Sequence, residues 1–499
     1  MMIRILPPKA GPMAEALRGL GYTTGSALAD LIDNSISAGA ANVHLHFEWG
    51  ASASRVCVLD DGLGMDESEL VRAMRLGDRS PLVARATSDL GRFGLGLKTA
   101  SFSQCRRLTV ASRQDGVTTC FRWDLDVLAA REDGQWCLLE GAELSAAHLL
   151  EPLNASQSGT LVVWEVVDRI VTPGTTVEMF LETVSQVERH LAMVFHRCLE
   201  GTHPKVCLFI NDRRVKPWDP FLRHHPATWT SPLERIRSNV GTVEVQCFVL
   251  PHRDRLAPLE YESGAGPDGW TAQQGFYVYR NKRLLVAGSW LGLGAGRQWT
   301  KEESHRLARI QLDITNAADA EWNIDIRKST ARPPVQLRRQ LASLAENTRK
   351  RARTVFAHRG RVLPKNNDEV VRAWQPRQGI DGMRYKIDRE HPAVRAVLEA
   401  MPEQRGQVDA MLRILEETIP VQRIWLDTAE AKETPRTGFC GTEASQVEAV
   451  LRVMFQNMLA HRGMAPEVAR QLLLRTEPFD DYPELVRALP DSLGGELIS

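Results

Sequence analysis

The stretch SALADLIDNSISAGA, residues 26–40, decides how the N-terminal part of this chain folds. Its apolar residues recur at the intervals of one helix face, and they are Ala27, Leu28, Leu31 and Ile32. Gly39 then ends the pattern, as glycine commonly does after a helix. The sequence therefore predicts a helical region over residues 12–40.

An acid and an amide lie together on this predicted helix. Asp30 and Asn34 are four residues apart and share one face, whereas Asp33 is expected to point elsewhere. A carboxylate can orient or deprotonate a water molecule, and an amide oxygen is a suitable ligand for Mg²⁺ bound to phosphates. The alternative is an ordinary solvated polar face, since this spacing is common.

Predicted strands follow the helix, without the regular βαβ alternation of a doubly wound sheet. The first two are ANVHLHFEW (41–49) and SRVCVLDDG (54–62). The second one runs into the motif Asp60-Asp61-Gly62-Leu63-Gly64. A carboxylate at a strand end can accept a hydrogen bond from an exocyclic amine such as that of adenine, and glycines let ligand and backbone approach closely. The alternative is a plain Asp/Gly turn between a strand and a helix.

A glycine-rich segment, GRFGLGLKT (91–99), precedes another predicted helix. Backbone N–H groups at a helix start bind phosphates, and Lys98 adds positive charge. The segment is not a dinucleotide fingerprint, because its order is G-x-x-G-x-G and no strand precedes it. It is not a Walker A loop either, because Leu97 stands where that loop needs glycine. A flexible lid over phosphates is the better interpretation.

These three motifs, in this order, resemble the ATPase superfamily of gyrase B, heat-shock chaperones, histidine kinases and MutL, called GHKL, over residues 12–165. Ser158-Gly159-Thr160 is similar to the family's Gly-Thr segment near adenine. The resemblance implies ATP and Mg²⁺ as cofactors, Asp30 as the general base and Asn34 as the metal ligand. It further implies Asp60 as the adenine reader. The other residues it implies at the ATP site are Gly62, Gly64, Met65, Gly94, Leu95, Gly96, Leu97, Lys98, Thr99 and Thr160.

One departure from the family pattern concerns the general base. Members that hydrolyse ATP usually carry Glu where this chain has Asp30. The shorter side chain retracts the carboxylate by one methylene, on the order of an ångström, and base catalysis depends on reach. The resemblance therefore implies slow turnover rather than loss of binding.

Two later segments, GFYVYRNKRLL (275–285) and WNIDIRKS (322–329), look like the transducer domain of MutL and MORC-type ATPases. In that domain a loop lysine reaches the γ-phosphate, and Lys328 is the catalytic candidate here, with Arg327 as its rival. The alternative is a turn with solvated basic residues.

The implied fold class is α/β: a Bergerat-type ATP-binding sandwich, a transducer (ribosomal-protein-like) α/β domain and a mostly helical C-terminal region. The expected domains are residues 1–175 for ATP binding, 176–334 for the transducer-like unit, and 335–499 for a basic helix and the helical region.

Charge is balanced over the whole chain but not locally. Lys+Arg and Asp+Glu both total 62, which excludes a globally basic chain that coats nucleic acid, and 43% hydrophobic residues indicate ordinary globular cores. Residues 332–365 nevertheless hold ten Lys/Arg and one acid, whereas residues 366–499 have a net charge of −6. This basic segment predicts a contact with the DNA phosphate backbone, the alternative being a solvated charged face.

The function expected from these features is an ATP-gated dimeric clamp of the MutL/MORC kind. It would act on DNA in a bacterial restriction or anti-phage defence system, with a nuclease or helicase as a candidate partner. The alternatives are a chaperone-like ATPase with protein clients and a subunit like topoisomerase VI B. Eight scattered cysteines, no signal-peptide core and no run of about 18 apolar residues predict a cytoplasmic protein without a membrane segment.

Overall fold

This computed structural model describes residues 8–77, 96–238, 241–294, 296–315, 321–325, 328, 330–357, 371–379, 382–430, 439, 442–460 and 463–491. The chain divides into two compact units, residues 1–361 and 362–499. The expected site and surface residues that lie outside the described ranges are Gly94, Leu95, Arg327, Arg359, Arg361 and Lys365.

The first unit opens with a mixed α/β layer. In chain order its elements are α1 (Ala10–Arg18), α2 (Thr24–Ser37), β1 (Asn42–Glu48), β2 (Arg55–Asp60), α3 (Glu67–Met74), α4 (Gly96–Phe102), β3 (Arg107–Gln114), β4 (Val117–Asp124), α5 (Leu125–Ala130), β5 (Leu139–Glu140), α6 (Glu151–Ala155), β6 (Gly159–Glu165), α7 (Val177–Val194), α8 (His196–Leu199), β7 (Cys207–Ile210) and β8 (Arg213–Arg214). The eight strands form one sheet in the order β5-β4-β3-β6-β2-β1-β7-β8. Its pairs are antiparallel except that β1 and β7 are parallel.

The helical region predicted over residues 12–40 consists of two helices, α1 and α2, and residues 19–23 interrupt it. Helix α2 carries the predicted apolar pattern. Thr23 caps it, because the Ser26 N–H donates to Thr23 Oγ1 at 3.2 Å while the Thr23 N–H donates to Ser26 Oγ at 2.9 Å. The four apolar residues of the pattern are at most 2% exposed, in the core between the sheet and α7. Gly39 follows the helix with a φ of +74°. The helix is thus held by its cap and by one buried face, and that face orients its acidic residues.

The first sheet extends beyond the boundary expected after residue 175. Strand β7 pairs in parallel with β1, with Leu208 level with Val43 and Ile210 level with Leu45. Its residues fall in the range 176–334 that was expected to form the transducer-like unit. It joins the first sheet because β1 offers it an unpaired edge, and its buried residues, Leu208 and Ile210, complete the first core.

A second sheet completes the first unit. Its elements are β9 (Trp229–Thr230), β10 (Glu234–Ser238), β11 (Gly241–Val249), α9 (Pro258–Ala265), β12 (Gly275–Arg280), β13 (Arg283–Ser289), β14 (Ala308–Ile314) and α10 (Val335–Ala357). The strand order is β10-β11-β14-β12-β13, with β9 beside β11. Helix α10, expected to open the C-terminal region, instead buries Leu337, Leu341 and Ala345 in the core of this sheet. Both expected boundaries, after residues 175 and 334, therefore lie inside the first unit.

The second unit contains a hairpin and a group of helices. These are β15 (Trp374–Gly379), β16 (Gly382–Ile387), α11 (Pro392–Ala400), α12 (Arg405–Glu417), α13 (Val421–Glu430), α14 (Ala444–Ala460), α15 (Pro466–Leu473) and α16 (Pro483–Arg487). Leu451, Phe455 and Leu473 are fully buried in its core. In both units, every helix of the described ranges is too short or too polar to cross a bilayer.

Candidate functional site

Helix α2 presents three polar side chains at one end of the first sheet. Asp30 and Asp33 are 5% and 1% exposed, whereas Asn34 is exposed. The expectation that Asp33 points away from Asp30 is wrong. Residues three apart are neighbours on a helix surface, as residues four apart are, so both carboxylates face the same buried cluster.

Two cations from the second sheet region complete that cluster. Lys328 Nζ donates to Asp30 Oδ1 at 2.9 Å and also to Asp33 Oδ2. Arg283, the first residue of β13, places Nε 3.2 Å from both carboxylate oxygens of Asp33. All four side chains are at most 7% exposed, so two acids and two bases are buried together with balanced charge. The structure thus brings Asp30 and Lys328 together across 298 residues of chain.

The cluster affects the pKa of Asp33 and that of the neighbouring Tyr22. Burial acts to raise the pKa of Asp33, but the charges and hydrogen bonds of Arg283 and Lys328 outweigh burial and hold this pKa below its usual value. Tyr22 donates its hydroxyl to Asp30 Oδ2 at 2.9 Å. Burial, and then the charge of Asp30, raise the pKa of Tyr22, so the phenol remains a donor at neutral pH. Asp30 is therefore fixed from two sides, by Tyr22 and by Lys328.

Asp60 ends β2 as the sequence predicts and is 8% exposed. Ser35 Oγ donates to its Oδ2 at 2.7 Å and the Gly62 N–H donates to its Oδ1 at 3.0 Å. Burial raises its pKa, although these donors and the Thr160 backbone act in the opposite direction. Because a carboxylate offers about four acceptor positions, these three donors leave Asp60 able to accept a further donor from a ligand.

The glycines that follow Asp60 lie in close contact with neighbouring parts of the chain. Gly64 has a φ of +71°, and a Cβ there would lie 2.0 Å from the carbonyl oxygen of Arg113. At Gly62 a Cβ would lie 3.0 Å from Asp60 Oδ1. Gly64 is thus required by the turn itself, whereas Gly62 stands where a side chain would make only tight contacts.

Ser112 on β3 contacts two further expected site residues near Asp60, Met65 and Thr160. The Met65 N–H donates to Ser112 Oγ at 2.9 Å, and that oxygen lies 3.0 Å from Thr160 Oγ1. Because Thr160 is level with Asp60 across the β2–β6 pair, Met65, Thr160 and Asp60 converge on one sheet end.

The described part of the glycine-rich segment, residues 96–99, forms the first residues of α4. Gly96 lies beside the cluster, since a Cβ on it would be 3.5 Å from Asp30 Oδ2. Leu97 is half-buried against the first core, and Thr99 is fully buried and bonds to Tyr22. The Lys98 ammonium donates to the Ala73 carbonyl at 2.8 Å, in the last turn of α3. A role of Lys98 at phosphates would require it to leave that carbonyl.

Sequence reasoning missed Asp33, Arg283, Tyr22 and Ser112 as site residues. The two charged residues carried a signal: Asp33 is three residues from Asp30, and Arg283 stands inside the segment GFYVYRNKRLL. Nothing in the local pattern, however, indicates that they pair with each other over 250 residues.

Comparison with known proteins finds similarity for part of the chain. A family model described as histidine kinase-, DNA gyrase B-, and HSP90-like ATPase matches residues 22–160. The chain is 34% identical to the ATPase morc-1 of Caenorhabditis elegans over 94 residues, 19% of this chain and 11% of that protein. It is 31% identical to the DNA mismatch repair protein MutL of Rhodospirillum rubrum over 219 residues, 42% of this chain and 30% of that protein.

A third similarity is to the ATPase MORC2 of Homo sapiens, 29% identical over 97 residues, 19% of this chain and 9% of that protein. The chain therefore spans at most 30% of the length of these three relatives. The family match contains Asp30, Asn34, Asp60 and Thr160, whereas Lys328 lies outside it.

Proposed function

Residues 22–160 are a GHKL ATPase domain similar to those of MutL and MORC proteins, and on this basis we propose that the chain binds ATP and uses its slow hydrolysis as a conformational switch. The observation that carries the proposal is the contact of Lys328 with Asp30. A cation that reaches the general base from the segment between β14 and α10 can report the state of the nucleotide site to the rest of the first unit.

In the proposed site, Asp60 accepts the exocyclic amine of adenine, and Thr160 and Met65 line the base. Gly62 and Gly64 allow the base to approach the backbone. The segment from Gly94 to Thr99 covers the phosphates, and the N–H groups at its end supply neutral donors. These roles follow from the family and are supported by the contacts of Met65 and Thr160 with Ser112 and by the position of Thr160 level with Asp60.

Asn34 is the proposed ligand of Mg²⁺. Its side chain is exposed at the end of the site, and one amide oxygen suits an ion that takes its other ligands from phosphates and water. When bound, the ion would neutralise charge on the phosphates. Replacement of Asn34 by Ala should therefore weaken binding of ATP in the presence of Mg²⁺.

The switch follows from the charges of the buried cluster. While Lys328 is bonded to Asp30, this carboxylate is paired with an ammonium and is not free to accept a proton from water. A γ-phosphate offers Lys328 a stronger anionic partner. When the Lys328 ammonium moves from Asp30 to that phosphate, the carboxylate of Asp30 can orient the attacking water. The short side chain of Asp30 keeps turnover slow.

We propose further that ATP closes a homodimer of this chain around DNA, and that α10 contacts the phosphate backbone. Its cations that are exposed include Arg338, Arg339, Lys350 and Arg353. Arg349 is 7% exposed and stacks on Trp299 at 4.5 Å, so it belongs to the core and not to the contact surface. A transducer role for the second sheet, a cytoplasmic site of action, a restriction or anti-phage setting and a nuclease or helicase partner are part of the same proposal.

One combined experiment tests this function. ATPase rate and molar mass by light scattering are measured together, with and without DNA and a non-hydrolysable ATP analogue. We expect a slow ATPase and a monomer that dimerises with the analogue. A chain that binds no ATP would refute the nucleotide proposal. A chain that binds ATP but stays monomeric, or is already the same dimer without nucleotide, would refute the clamp.

The same experiment on a variant isolates the contact that carries the proposal. Lys328→Met should bind ATP nearly as the parent does, yet lose hydrolysis and closure. Lys282→Met, which removes an exposed lysine from the neighbouring β12–β13 turn, is the matched control and should retain both.

DNA binding is tested by charge removal on α10. The variant Arg339→Gln/Lys350→Gln/Arg353→Gln should lower the dependence of log affinity on log salt by about 0.9 per lost phosphate contact. The control removes three exposed cations elsewhere, Arg213, Arg214 and Lys216. An equal effect in both variants would refute a specific role of α10.

A further inference from the structure

The outer face of the first sheet carries three metal-ligating side chains from two elements. His44 and His46 alternate with the buried Val43, Leu45 and Phe47 along β1, so both imidazoles project from the same outer face. Asp212 follows β7, which runs parallel to β1. The ligand atoms of His44, His46 and Asp212 all lie within 4.8 Å of one another.

The position of Asp212 is set by the turn between β7 and β8. Asn211 and Asp212 have φ values of +44° and +62°, as in the two-residue hairpin turns that favour Asn-Gly. Asn211 Oδ1 accepts the Phe47 N–H at 2.8 Å, which ties the turn to β1. The chain thus keeps a carboxylate, at some conformational cost, where glycine would fit without strain.

The three side chains are oriented but not otherwise engaged. The His44 ring stacks on Phe209 at 4.6 Å between centroids, and the His46 ring lies nearly parallel to His44 at 6.3 Å. Within the described ranges, none of the three makes a side-chain hydrogen bond or ion pair. For Asp212 this holds even though Arg213 and Arg214 come next in the chain.

A second histidine cluster shows the contrast. His196 lies near Glu200 and Asp219, but its Nδ1 is 2.7 Å from Glu200 Oε1 and its Nε2 is 2.8 Å from the Tyr279 hydroxyl. Both ring nitrogens are therefore engaged in hydrogen bonds, and that group needs no ion.

We propose that His44, His46 and Asp212 form a site for a divalent transition metal, with Zn²⁺ as the preferred ion. Two imidazoles and one carboxylate are ligands that Zn²⁺ accepts, and they exclude Mg²⁺ and Ca²⁺, which prefer oxygen ligands. Water would complete the coordination. Cys57 is level with His46 on β2, but it is buried, whereas His46 and Asp212 are exposed.

The ion would connect β1 with the β7–β8 turn and so fasten the edge of the sheet. None of its ligands belongs to the nucleotide site, so the inference is independent of the proposed function.

The test is Zn²⁺ binding to the full chain, freed of metal by a chelator and carrying no affinity tag. Isothermal titration gives the affinity, and Co²⁺ in place of Zn²⁺ gives an absorption band that reports its ligands. His46→Ala and Asp212→Asn should each weaken the tightest site by more than about 100-fold, above the 10–100-fold typical of outer-shell partners. His203→Ala, at another exposed histidine, is the matched control and should leave the affinity unchanged.

Circular dichroism and ATP affinity of each variant verify that fold and nucleotide site are intact. No zinc bound by the parent chain, or an unchanged affinity in His46→Ala, would overturn the proposal. The same loss in the His203→Ala control would also overturn it.

Discussion

The buried cluster of Asp30, Asp33, Arg283 and Lys328 predicts energetic coupling between distant parts of the chain. The perturbation is a double-mutant cycle of Lys328→Met and Asp33→Asn in the nucleotide-free protein. Lys328→Met removes two hydrogen bonds to carboxylates that are at most 5% exposed. Removal of one partner of a buried ion pair costs about 3–5 kcal/mol when the other charge is left unpaired.

The expected cost here is smaller, because the remaining charges keep partners. After Lys328→Met, Asp33 still bonds to Arg283 and Asp30 still accepts from Tyr22. We therefore expect a loss of about 2–3 kcal/mol in the free energy of unfolding. Asp33→Asn should lower the free energy of unfolding by a similar amount, since Lys328 still has Asp30 as its ion-pair partner. The double variant removes one charge of each sign, so its loss should be about 1–3 kcal/mol less than the sum of the single losses.

Urea unfolding at pH 7, followed by fluorescence and circular dichroism, measures these values for the transition of the first unit. The lowered pKa of Asp33 adds a pH dependence with a defined sign. Stability from a carboxylate of lowered pKa is present above the unfolded value of about 3.9 and is lost as pH falls through the folded value. The stability difference between the parent and Asp33→Asn should thus be constant near neutral pH and shrink below about pH 4. Strictly additive losses, or a difference that grows with acid, would refute the reasoning.

Three further predictions concern single residues. Asp60→Asn should weaken ATP binding by about 2–4 kcal/mol in calorimetry, because the amide presents a donor where a buried acceptor is needed, whereas Glu67→Gln on α3 should not. Asp30→Ala should keep ATP binding but lower the hydrolysis rate by about 10²-fold or more, and a parental rate would remove Asp30 as the base. Gly64→Ala should destabilise far more than Gly39→Ala in thermal unfolding: both glycines have φ near +70°, but only at Gly64 does a Cβ meet backbone, at 2.0 Å. Equal losses would mean that the turn relaxes.

The local features of the site could be predicted from the sequence because they depend on neighbours in the chain. Helix α2 follows from its apolar period, and the placement of Asp30 and Asn34 on one helix follows from the same period. Asp60 follows from its position at the end of an apolar strand before a glycine turn. These features need only the backbone preferences of a few consecutive residues.

Tertiary structure alone decided which of these residues meet. A periodic pattern tells which face of an element is buried but not what covers that face, so residues 207–210 were assigned to the following unit and not to the sheet of β1. In the same way, the charges of Asp33 and Arg283 are visible in the sequence, but their pairing requires α2 and β13 to meet although 250 residues of chain separate the two side chains. Burial then makes the pairing obligatory, because an unpaired charge in that position would cost several kcal/mol.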